Sequence, residues 1–297
     1  MRFGVNTFVW TSPFSTSRDL HLLDKAAQMG FDTLEIAIEE PALVDTAALR
    51  AKASAAGLDL LLCGAFGPGR NLSSSDASEV EAAEEYLRWM IDAAAEVGSP
   101  VIGGPMYSAV GKERLPTQPA RTAEWQRAAA QLHKWAIYAG RHNVRLAFEA
   151  LNRFENDMVN VASQGLALID AAGDPRDAAG APLLGLHLDT FHMHLEEKNS
   201  AAAIRATGEH LLHFHACEND RGVPGTGQVH WQSVAQALAE IGYDRAVVIE
   251  SFTPQVASIA RAVCIWRPIA PDQDTIAREG LAFLKPLLGV EAPAEAQ

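Results

Sequence analysis

The run Gly185-Leu186-His187-Leu188-Asp189-Thr190-Phe191-His192-Met193-His194 decides how the rest of the chain is read. It begins apolar and stops at a carboxylate, with a histidine three residues further on. A strand covered on both faces is near-continuously apolar, so a run of this kind reads as a buried strand whose last side chain is delivered to a site. The same ending recurs in three neighbouring segments. Arg145-Leu146-Ala147-Phe148 stops at Glu149, Leu211-Leu212-His213-Phe214 at His215, and Ala246-Val247-Val248-Ile249 at Glu250. One acid at a strand end is usually a solvated boundary residue or a helix cap. Four ligand-type side chains, each closing an apolar run, point to a common site.

Working outward, these four segments are the last of eight strand–helix units. Apolar strand patterns occupy Arg2 to Val9, Thr33 to Ile38, Asp59 to Ala65 and Pro100 to Gly104, ahead of the four already named. Helical spacing follows each: from a Ser17 cap to Gly30, from an Asp45 cap to Gly57, from Asp76 to Gly98, from Pro119 to Gly140, from Val161 to Ala171, from Ser200, from Trp231 to Ile241, and from Asp272 to Leu287. Gly30, Gly57, Gly98, Gly140 and Gly242 are placed as left-handed helix ends. Strict strand–helix alternation means a parallel sheet. Eight units in 297 residues fit one closed (β/α)8 barrel, a TIM barrel, spanning residues 1–297 as a single domain with a frayed tail from about 289 to 297. No glycine-rich dinucleotide fingerprint follows the first strand, which disfavours an open doubly wound sheet.

The connections are lopsided. Helix-to-strand links are short, as at Gly30-Phe31-Asp32, whereas strand-to-helix links are long: Phe66 to Ser75, Pro105 to Gln118, Leu151 to Asn160, Ala216 to His230 and Ser251 to Pro271. In a barrel all the long links lie on the rim that carries chemistry, and the four strand-terminal groups lie on that same rim.

Strands five to eight are neighbours, so Glu149, Asp189, His215 and Glu250 can converge on one ion. Three carboxylates and an imidazole suit a hard or borderline divalent cation (manganese, magnesium or cobalt), with zinc a further option. His187 and His213 sit two residues before a ligand and therefore face the same interior; hydrogen-bonding support of the ligands is the role expected of them. Phe8, Trp10, Phe66 and Tyr107, at strand ends and rim loops, are candidates for an apolar wall. Trp125 and Trp135 are expected to pack against neighbouring helices.

The totals exclude other classes. A formal net charge of −13 opposes a phosphate-backbone partner, which needs clustered Lys and Arg. No apolar run approaches the roughly 20 residues a membrane helix requires. Three scattered cysteines, Cys63, Cys217 and Cys264, do not make a disulfide framework, and a reducing, cytoplasmic setting is expected.

Phe148-Glu149-Ala150-Leu151-Asn152-Arg153-Phe154-Glu155, Leu188-Asp189-Thr190-Phe191-His192-Met193 with Glu196-Glu197, and His213-Phe214-His215 with Glu218-Asn219-Asp220-Arg221-Gly222 resemble the ketose 3-epimerases of the xylose-isomerase-like barrels, the group of D-tagatose, D-psicose and L-ribulose 3-epimerases. The resemblance runs from Phe3-Gly4-Val5-Asn6 to Ile249-Glu250-Ser251-Phe252. It implies a divalent ion, typically manganese, at Glu149, Asp189, His215 and Glu250, with Glu149 and Glu250 also acting as the acid/base pair. It places Glu155, His192 and Arg221 around the hydroxyls of a small ketose, and it implies a homodimer or homotetramer. The loops Phe66-Gly67-Pro68-Gly69-Arg70 and Pro105-Met106-Tyr107 depart from the pattern and leave the preferred ketose open.

The chemistry of such a reaction fits the residues. Removing a proton beside a carbonyl and returning it on the other face requires two bases, one on each side of the carbon, and an electrophile to stabilise the enediolate. The runner-up is an aldose–ketose or hydroxypyruvate isomerase on the same barrel. A multi-zinc phosphodiester hydrolase and a non-catalytic sugar-binding barrel are more distant alternatives.

Overall fold

The computed structural model describes residues 1–289; the tail expected to fray lies, from 290 to 297, outside the described residues. Eight parallel strands close on themselves in chain order. They are β1 (Arg2–Asn6), β2 (Thr33–Ile38), β3 (Asp59–Gly64), β4 (Val101–Gly103), β5 (Arg145–Glu149), β6 (Leu184–Asp189), β7 (Leu211–Ala216) and β8 (Ala246–Ile249). Closure is direct: β1 pairs with β8 from Arg2↔Ala246 to Val5↔Ile249. The helices surround this ring as a TIM barrel requires. Among the described residues no helix is long and apolar enough to cross a membrane.

The main core lies between strands and helices, where Leu34, Ile36, Leu62, Leu146, Phe148, Leu186 and Phe214 are wholly or almost wholly buried. The barrel floor is a separate apolar layer of Leu61, Val101, Ala147, Leu212 and Val248. Above this layer the interior becomes polar: Glu35, His187, His213 and His215 are all buried inside the strand ring.

Local chemistry sets the element ends. Asp45 accepts from the Ala48 N–H at 2.9 Å and opens the helix Thr46–Ala56, as its position before the apolar periodicity predicts. Four boundaries differ from the pattern-based expectation. β1 stops at Asn6, because the Asn6 side chain accepts from Phe8 N at 2.8 Å and turns Thr7–Val9 into a 3₁₀ turn. The segment expected to start at a Ser17 cap is instead two helices, Thr16–Asp19 and His21–Met29, with Ser15 preceding the first. Gly140 does not end its helix, which runs from Gln118 to Arg141; Gly140 lies inside it against Leu183, and Asn143 makes the left-handed turn at φ 59°. A short helix, Ala257–Ala262, interrupts the long segment after β8.

One close approach is testable. A Cβ at Gly185, within β6, would lie 2.3 Å from the backbone oxygen of His210 and 2.5 Å from Leu212 Cγ. Gly185→Ala is expected to destabilise the barrel by about 1–3 kcal/mol, as overpacking of a tight interior does. Denaturant unfolding monitored by circular dichroism reads this directly, and an unchanged midpoint would show that β6 and β7 can separate at no cost.

Candidate active site

The strand ends bring the four sequence-predicted ligand groups together. Glu149 ends β5, Asp189 ends β6, His215 lies near the end of β7, and Glu250 directly follows β8. Each offers an atom that lies within 4.8 Å of the others, and all four residues are buried. Asp189 also caps a helix. Its Oδ1 accepts from Phe191 N at 2.7 Å and so starts the helix Thr190–Glu196 immediately after the strand. His192 and His194 therefore stand on a helix.

The donor set fits a divalent cation. It is rich in oxygen, and its imidazole is oriented for the purpose. His215 Nε2 lies 2.7 Å from Glu35 Oε1, while Nδ1 faces the carboxylates, 3.4 Å from Glu250 Oε2, as a buried nitrogen with no hydrogen-bond partner. A carboxylate on the far nitrogen fixes the tautomer and leaves a lone pair for an ion. Protons compete with a cation for the same groups. Burial, reinforced by Glu250 and Asp189, raises the Glu149 carboxyl well above the usual range. Burial also opposes ionisation of Glu250, but His215 and Arg221 outweigh it and hold that carboxyl low. Burial would lower His215, yet Glu250 and Glu35 raise it well above an ordinary imidazole. Three acids packed this closely carry a charge surplus that draws protons or a cation.

Glu35, in the middle of β2, is the polar residue that the pattern of strand-ending groups misses. It is fully buried, accepts from Asn6 Nδ2 at 2.7 Å, and also faces His213 Nε2 at 2.6 Å. Burial alone would raise its pKa, but His215 and His213 hold it well below the usual carboxylate range. The available signal is an acid between Leu34 and Ile36 in an otherwise apolar strand, since a wholly buried acid is almost always paired. His187 and His213 are buried beside His215, with ring centroids 4.0 and 5.0 Å from it. His187 Nδ1 accepts from Gly104 N at 3.3 Å.

The other three predicted residues border the same cavity, which has a volume of about 240 Å³. Arg221 adopts a left-handed backbone at φ 65°. Its Nη1 donates to Asp189 Oδ2 at 2.6 Å and to Glu250 Oε2 at 2.8 Å, between the rings of Phe191 and Phe252. His192 Nδ1 accepts from Asn152 N at 3.0 Å, and its Nε2 lies between Arg221 Nη2 at 3.2 Å and Glu149 Oε1 at 3.5 Å. Glu155 accepts from Asn152 Nδ2 at 2.8 Å, and burial raises its pKa. Phe8 and Phe66 belong to the wall as expected, joined by Phe252. Tyr107 does not: it is buried against Phe148 and donates to Val159 O at 3.1 Å. Trp10 instead donates to Asp274 Oδ1 at 2.7 Å. A second cavity, of about 290 Å³, lies under the barrel floor among Arg2, Asp59 and Arg245 and contains none of the clustered acids.

The sequence and fold were compared with known proteins. A family model described as a xylose isomerase-like TIM barrel matches residues 23–287. A probable ketose 3-epimerase of Synechocystis sp. is 32% identical over 285 residues, 96% of each chain. A ketose 3-epimerase of Arthrobacter globiformis is 31% identical over 287 residues, again 96% of each chain. A solved L-ribulose 3-epimerase superposes with a TM-score of 0.89 at 30% identity, covering 97% of this chain and 94% of its own. A buried carboxylate–histidine cluster on a closed barrel, with whole-length similarity of this kind, means that the chain belongs to the xylose isomerase-like TIM-barrel family and, within it, to the ketose 3-epimerases, isomerases that act on carbohydrates.

Proposed function

We propose that the protein inverts C3 of a free ketose, with Glu149 and Glu250 exchanging the proton. The observation that carries this reading is the pairing of two carboxyls, from β5 and β8, that border one cavity and offer oxygens within 4.8 Å of each other. Burial and Glu250 raise the Glu149 carboxyl, while His215 and Arg221 lower that of Glu250. Titratable groups pushed apart in this way form an acid/base couple. Glu250 removes the C3 proton from one face, Glu149 returns one to the other, and the reverse reaction exchanges the two roles.

Glu149, Asp189, His215 and Glu250 would hold a divalent cation, with manganese favoured over magnesium or cobalt, and when bound it would supply Lewis acidity to the reaction. His192 turns its Nε2 edge, beside Arg221 Nη2, toward the developing oxyanion. Arg221 offers the guanidinium hydrogens not committed to Asp189, Glu250, Cys217 and His192 to substrate hydroxyls, and Glu155 accepts from a further hydroxyl. Phe8, Phe66 and Phe252 cover the carbon face of the sugar and keep bulk water from the enediolate. The reading also takes the protein as a cytoplasmic homo-oligomer.

Incubation of the manganese-loaded protein with D-fructose, D-tagatose or L-ribulose in deuterated water tests the reading. The expected product is the C3 epimer carrying deuterium at C3. Formation of an aldose with no C3 epimer would replace the proposal with the aldose–ketose isomerase alternative.

A further inference from the structure

Two sets of polar residues line the cavity. One is Glu149, Glu155, His192, Arg221 and Glu250, from the mouths of β5 to β8. The other is Glu39, which directly follows β2. In the closed strand order β2 is separated from β8 by β1 and from β5 by β3 and β4. The rest of the wall is mostly carbon, from Phe8, Phe66, Pro105, Val110, Phe252 and Ile259.

Glu39 is under-engaged for a half-buried acid. Its two oxygens share one hydroxyl donor, Ser12 Oγ, at 2.9 and 2.7 Å, and it forms no ion pair among the described residues. The neighbouring Arg70 does not neutralise it. That guanidinium lies 4.2 Å from the Tyr86 ring centroid and donates to the backbone oxygens of Glu39 and Ala65. Burial, helped by the adjacent Glu40, raises the Glu39 carboxyl, as expected for a group short of donors. A carboxyl lining a largely carbon-walled cavity, with acceptor capacity to spare, matches a ligand hydroxyl.

We propose that Glu39 is a specificity-determining residue that accepts a hydrogen bond from the terminal hydroxyl of a ketohexose. The proposal rests on the epimerase reading above. With C2 and C3 held beside Glu149 and Glu250, the C4–C6 arm is the longer of the two and extends along the apolar wall that also carries Glu39. Glu39 then measures chain length and terminal oxidation state without touching the reacting carbon.

The test uses the metal-loaded enzyme, with D-fructose and D-tagatose set against their 6-deoxy counterparts, and with Glu39→Leu and Glu39→Gln beside wild type. Glu39→Leu is expected to lower kcat/KM on the parent sugars roughly ten- to a hundredfold, the worth of a hydrogen bond to a charged acceptor. Most of that loss should appear in KM, with the 6-deoxy sugars changed by less than about twofold. Glu39→Gln, which keeps an acceptor, should recover part of the loss. Thermal midpoints near wild type would show that each variant is folded. Equal losses on parent and 6-deoxy sugars, or none on either, would overturn the proposal while wild-type epimerisation leaves the activity reading standing. Absence of C3 epimerisation by wild type on every sugar would overturn both.

Discussion

Glu250→Gln is expected to slow epimerisation by roughly 10²–10⁴-fold, the contribution typical of a positioned acid or base. The variant keeps the side-chain shape and removes the charge. Glu250 Oε2 is the acceptor for Arg221 Nη1 at 2.8 Å and lies 3.4 Å from His215 Nδ1, so the charge is also part of how the site holds together. Glu149→Gln should lose activity to a similar extent with a different structural outcome. Burial and the nearness of Glu250 already oppose its charge, so an amide there removes little stability. The two variants are therefore expected to be alike in rate and unlike in thermal midpoint, with Glu250→Gln the less stable. Turnover within a few-fold of wild type by either variant would remove that residue from the proton transfer.

Chelator treatment followed by desalting is expected to abolish activity, and added manganese to restore it. A readout independent of turnover accompanies this. A ligand that binds only the folded state raises stability by about 2.7 kcal/mol at a hundredfold excess over its Kd, so manganese should raise the thermal midpoint of the desalted protein. Asp189→Ala should weaken that rise, because it removes one of the four clustered donors. Ligands must shed protons to bind a cation, so apparent manganese affinity should fall with decreasing pH. The preference of Glu149 for its proton places the onset of that fall above the usual carboxylate range. Full activity in protein shown by metal analysis to hold far less than one ion per chain would refute the cation site.

The barrel and its working rim were legible because they are written as repeats. Strand–helix alternation and the contrast between short and long links are spread over the whole chain, and four successive apolar runs end at Glu149, Asp189, His215 and Glu250. Features resting on a single residue were less visible. Glu35 sits within a strand, and its meaning depends on Asn6, His213 and His215, which are distant in sequence. Glu39 and Ser12 meet across 27 positions. The helix Thr190–Glu196 was hidden because Asp189 serves as strand end and helix cap at once, a double use that periodicity cannot separate. Aromatic side chains at the rim were visible as candidates, but only packing divides Phe8 and Phe66, which face the cavity, from Tyr107, which lies behind it.

The buried carboxylate of Glu35 ties β1, β2 and β7 together from beneath, through Asn6, His213 and His215. The anchorage that orients the imidazole thus belongs to the strand framework and owes nothing to the overlying loops. Diversification of those loops can retune which sugars are admitted while the reactive apparatus stays in register. Recognition and reactivity become separately evolvable in one chain, and an engineer can recast the entrance without dismantling the engine beneath it.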